Sequence, residues 1–111
     1  MDLPEAVLAR WQRRQVREGR TNADASELCR SEIEKLRGQR PSIDRDASLA
    51  LWLEHTTRNS SGRRDALEEA ASLLTRATAI AERRDQYDGL DDLRRWRRRV
   101  CYLRDCATAP M

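Results

Sequence analysis

Phenylalanine is absent from this 111-residue chain, lysine occurs once (Lys35), and there are only four glycines and three prolines. Each scarcity narrows the reading. So few glycines leave no Gly-rich phosphate loop and no nucleophile elbow, and little loop on which to build a catalytic pocket. The longest apolar stretch falls far short of the ~20 residues that a spanning helix needs, so no membrane segment is expected. The start, Met1-Asp2-Leu3-Pro4-Glu5, has no basic region followed by an apolar one, so no signal peptide is expected. Three cysteines cannot all pair within one chain, and none forms a CxxC pair. That usage points to free thiols in a reducing cytoplasm.

Branched apolar residues are scarce as well: leucine, isoleucine and valine number 19. So low a fraction signals disorder only when net charge is high. Here 22 basic residues face 19 acidic ones, a formal charge of +3. The chain is therefore expected to fold around a thin core, with 14 alanines and three tryptophans supplying much of the packing. A thin core also makes self-association, as a homodimer, a reasonable expectation.

What is abundant is arginine, 21 of the 22 basic residues. A GC-rich coding sequence produces this bias without any function, so position matters more than number. Residues 1–20 and 88–106 each carry an excess of about two positive charges, around a slightly acidic middle.

Breakers at Gly19, Gly38–Pro41, Asn59–Gly62 and Asp88-Gly89 divide the chain into five segments with helical periodicity. The first runs from about Leu3 to Glu18, with Asp2 as its expected cap and Leu3, Val7, Leu8 and Trp11 on its apolar face. The second spans Asp24 to Arg37 and ends at Gly38. The third, Asp44 to Thr57, is apolar nearly all round between Ala47 and Leu53, as in a buried helix. The fourth, Arg64 to Tyr87, has an alanine-rich stripe of Ala66, Leu67, Ala70, Leu73, Leu74, Ala77, Ile80 and Ala81. The fifth, Leu90 to Asp105, steps Leu93, Trp96, Val100, Leu103 in a short coiled-coil-like seam. These patterns predict an all-α fold, a small bundle of four to five helices with short loops, as one domain over 1–106. Residues 107–111 are expected to fray.

The strongest functional feature is Arg94-Arg95-Trp96-Arg97-Arg98-Arg99. Arg94, Arg95, Arg98 and Arg99 are candidates for contacting phosphates or acidic side chains, with Arg13 and Arg17 as a second flank. The two flanks merge if helices 1 and 5 pack side by side. Trp11, Trp52 and Trp96 are candidate aromatic anchors, for the core or for an interface. A helix-turn-helix centred on Gly38 fails, because Glu34 falls where a small buried residue is needed and Pro41 falls in the second helix. A ribbon-helix-helix reading of 42–74 fails on its long loop, 54–65, and its vestigial strand.

No metal site is expected. Cys29, His55, Cys101 and Cys106 complete a zinc set by count alone, and Cys101 and Cys106 diverge by about 140° around a helix. His55 is the sole imidazole, and no pair of inward carboxylates with apolar flanks stands out. No cofactor and no enzymatic activity are therefore expected. The expected function is a small cytoplasmic interaction module, an adaptor, regulator or inhibitor of bacterial or phage type that presents a helical surface to another protein or to a second copy. The alternative is a nucleic-acid-binding regulator that uses the arginine-rich fifth helix.

Overall fold

The structure, a computed structural model, describes residues 3–20, 25–58, 62–84 and 87–108. It is all-α, with five helices in chain order: α1 (Pro4–Arg17), α2 (Ser26–Arg37), α3 (Ile43–Thr56), α4 (Arg63–Arg83) and α5 (Leu90–Thr108). No strand occurs among the described residues.

The helix ends have local causes. The N-cap of α1 is Leu3, with Pro4 at the first helical position, where its missing N–H costs nothing. The expected cap, Asp2, lies outside the described residues. Gly19 closes α1 with a φ of 79°, a left-handed turn in which the Arg20 N–H donates to the Gln15 carbonyl at 2.7 Å. Helix α3 begins one residue earlier than expected, because the Ser42 hydroxyl accepts the Arg45 N–H at 3.0 Å. Helix α4 stops at Arg83, short of Tyr87, as Arg84 turns extended. Tyr87 instead donates its hydroxyl to Asp44 at the start of α3, at 3.1 Å. Helix α5 runs to Thr108, into the stretch expected to fray; residues 109–111 lie outside the described residues.

Helix α4 is the centre of the fold, packed between α3 and α5. Its whole expected stripe is buried except for half-buried Ile80, and Ala71 and Thr78 are buried beside it. Alanine leaves little side chain between backbones, so both neighbours approach closely. Leu49 of α3, Leu67 and Leu74 of α4 and Val100 of α5 are fully enclosed. Each such side chain contributes roughly 1.5–3 kcal/mol relative to exposure. Trp52 is buried as well, so of the three tryptophans it serves the interior.

Helix α2 packs on α3. Arg37 reaches Glu69 of α4 through two hydrogen bonds of 2.6 and 3.0 Å, and Arg45 Nε donates to the Leu36 carbonyl at 2.9 Å. Helix α1 comes within backbone contact distance of α3 alone, and Pro4 is its only buried residue. The molecule is a slab of 47 × 41 × 23 Å.

Candidate anion-binding surface on helix α5

Two buried acids organise the arginines. Asp46 is 1% exposed. Its carboxylate accepts Arg76 Nε and Nη2 at 2.8 and 2.9 Å, a paired fork across the α3–α4 contact, and Arg45 Nη1 at 2.8 Å. Burial pushes this carboxyl's pKa up, and the hydrogen bonds from Arg76 and Arg45 outweigh that and hold it below its ordinary value. Glu54 is 4% exposed and gathers three guanidiniums. Arg58 lies at 3.1 Å, Arg99 of α5 at 3.5 Å and Arg63 of α4 at 3.8 Å. Arg58 also pairs with Glu5 of α1 at 3.2 Å. These two acids flank the apolar run 47–53, which corrects the expectation that no inward carboxylates with apolar flanks exist. Both are matched by arginines, so neither is a free acid or base.

Three further carboxylates and Glu54 decide which arginines of α5 stay uncompensated. Arg94 pairs with Glu82 at 3.3 Å, Arg95 with Asp92 at 3.3 Å, Arg99 with Glu54, and Arg104 with Asp105 at 3.3 Å. Arg97 and Arg98 have no ion pair among the described residues. Both line one open cleft of about 400 Å³ between α4 and α5, together with Arg94, Cys101 and Glu82. At about 100° per residue, positions 94, 97, 98 and 101 fall within an arc of about 100° on one side of the helix. Three guanidiniums thus face a single carboxylate. Tyr102, on the same helix, is 68% exposed.

The arginine cluster predicted from sequence therefore divides. Arg98 is free for a ligand, Arg94 is shared with Glu82, and Arg95 and Arg99 are engaged within the chain. Arg97 was not singled out and belongs to the cleft. Arg13 and Arg17 are exposed on α1, and no backbone contact joins α1 to α5. The two basic flanks do not merge, because α1 crosses α3 instead. Trp11 is half-buried on α1. Trp96 is half-buried and borders two cavities beside Leu3.

The remaining chemical groups are dispersed. Cys29 is buried on α2, while Cys101 and Cys106 lie on α5, half-buried and exposed. Among the described residues no three His, Cys, Asp or Glu side chains gather as a metal set. His55 packs edge-on against Trp52, with ring centroids 6.5 Å apart. Its Nδ1 is buried without a hydrogen bond and lies 3.7 Å from Glu5. No described helix is long and apolar enough to cross a membrane. The chain matches no protein-family model, no curated protein and no solved structure.

Proposed function

We propose that the chain is a non-enzymatic helical interaction module of the cytoplasm, and that it binds an acidic surface of another protein through the α4–α5 cleft. One observation carries this reading. Arg97 and Arg98 face the same cleft without an ion pair among the described residues, because its one carboxylate, Glu82, is paired with Arg94. Guanidiniums held side by side repel one another, and a partner carboxylate relieves that repulsion through paired hydrogen bonds.

A protein partner fits better than nucleic acid. Carboxylates recur along α5 and its edge, at Asp92, Glu82 and Asp105, each beside an arginine. A phosphate backbone laid along this helix meets those negative charges at every few turns. A local acidic patch does not. The α1 arginines, which would extend a nucleic-acid track, lie elsewhere.

The test uses the whole chain as bait, as wild type, as Arg97→Glu/Arg98→Glu, and as Arg13→Glu/Arg17→Glu, after nuclease treatment. A protein retained by wild type and by the α1 variant, and lost with the α5 variant, is the expected result. Retention on duplex DNA at low salt that falls steeply as salt rises replaces this reading with the nucleic-acid one. Equal recovery from all three baits removes the cleft from the function.

A further inference from the structure

A cavity of about 300 Å³ opens where Leu3 meets the starts of α3 and α5. That is the lower end of the roughly 300–1,000 Å³ of small-molecule pockets. Its chemistry is the reverse of the α4–α5 cleft. Two carboxylates line it, Asp44 of α3 and Asp92 of α5, together with the aromatic rings of Tyr87 and Trp96. Leu3, Ala47 and Leu93 make the rest of the wall apolar, and no basic side chain among the described residues lines it.

The walls are held by the chain itself. The Tyr87 hydroxyl donates to Asp44 at 3.1 Å. The Tyr87 ring lies over Gly89, where a Cβ would stand 3.0 Å from its Cε1, so the missing side chain gives the ring its place. Trp96 follows Leu93 by three residues on α5 and shares its face. Asp44 is exposed and has no ion pair among the described residues. Arg95 pairs with Asp92 at 3.3 Å and Arg84 acts on Tyr87, but neither arginine lines the cavity. The positive end of α5 is offset by Asp91 and Asp92 in its first turn.

We propose that this cavity binds a small organic cation through a trimethylated ammonium head, as choline carries. The proposal stands apart from the reading of the α4–α5 cleft. The unmatched charge of Asp44 favours a cation. A hard metal ion takes about six oxygen ligands, and no metal set gathers among the described residues. A primary ammonium is strongly hydrated and brings three N–H donors. The cavity offers two carboxylates for them, each already holding a donor of the chain. A trimethylated head brings no N–H group. Its methyls pack on the apolar wall, and its charge is drawn both to Asp44 and to the aromatic rings.

Nitrogen–proton correlation spectra of the whole chain, titrated with choline, test the site. The assigned Trp96 indole is expected to shift saturably, while those of Trp11 and Trp52, which do not line the cavity, stay in place. The neutral isostere of choline, with carbon in place of the ammonium nitrogen, should bind on the order of tenfold more weakly. Asp44→Asn removes the charge and keeps an oxygen for the Tyr87 hydroxyl. It should weaken choline to a similar degree with the urea midpoint near that of wild type. Trp96→Leu should abolish the binding; if circular dichroism shows that it does not fold, Asp44→Asn decides alone. Absence of a saturable shift at millimolar choline, equal binding of the isostere, or unchanged binding in Asp44→Asn overturns the proposal. A trimethyllysine amide run in parallel separates the sources of the head. Tighter binding of choline supports a free small molecule, and the opposite order overturns that assignment in favour of a modified lysine.

Discussion

Helices α1 and α5 start from similar sequence. Each is amphipathic, each places one tryptophan among arginines, and each end of the chain carries a similar positive excess. They end in different situations. Helix α5 buries Leu93 and Val100 against the alanine stripe of α4 and is tied to α3 through Arg99 and Glu54. Helix α1 rests on the outer side of α3, where Asp44, Ser48 and His55 interrupt the apolar surface, and it buries one proline. Amphipathicity thus states what a helix offers. Integration is decided by what the receiving face offers in return. The α4 stripe is small, apolar and continuous, whereas the outer face of α3 is mixed.

The sharpest way to break the body that α5 belongs to is Asp46→Ala. It strips the shared acceptor from Arg45 and Arg76 at a site 1% exposed. Removing one partner from a buried ionic cluster costs about 3–5 kcal/mol, measurable by urea unfolding. Leu74→Ala is expected to cost about 2–5 kcal/mol, as a fully buried leucine leaves a cavity in a packed core. Leu8→Ala on α1 makes the contrast. The residue is half-buried, and a loss under about 1 kcal/mol is expected, since part of the removed side chain is already in water.

Acid titration separates the two regions again. The Asp46 carboxyl lies below its ordinary value of 3.8 in the folded chain, because the arginine hydrogen bonds overcome burial. Its contribution is present above the unfolded value and is lost as pH falls through the lower, folded one. Wild-type stability should therefore decline below about pH 4, and Asp46→Asn should flatten that decline while lowering stability at neutral pH. Glu5 is also held low, by its own backbone N–H first; burial opposes this, and His55 and Arg58 add to the lowering. It is 58% exposed, so its substitution should leave the acid limb of the body unchanged.

The same contrast governs how much was legible in the sequence. The stripe of α4 and the seam of α5 were readable because each buried residue repeats at helical spacing against one neighbour. The all-α class followed from that periodicity and from the placement of the breakers. The fate of single charges was not readable. Asp46 finds Arg76 thirty residues away, and Glu54 collects Arg63 and Arg99 from two other helices. The local hints were Arg45 beside Asp46 and Arg58 one turn after Glu54. Arg98 was a candidate from sequence and Arg97 was not; that these two are the members of the run left without an ion pair among the described residues depends on tertiary pairing of their neighbours. Whether the ends of the chain met was equally hidden, because a basic flank carries no address for the helix it will lie beside.

The smallest expected effect is the most discriminating between α1 and the body. Glu5→Gln removes a carboxylate charge from Arg58 and His55 at a site more than half exposed. An exposed ion pair contributes about 0–1 kcal/mol, so the urea midpoint of the whole chain should hardly move. Amide exchange should register the change where the midpoint does not. Amides of α4 exchange through global unfolding, and their protection should stay as in wild type. Amides of α1 exchange when that helix lifts from α3, which breaks few buried contacts, so their protection is low to begin with and should fall further in Glu5→Gln. If α1 and α4 lose protection together, the two helices open as one unit, and α1 belongs to the body after all.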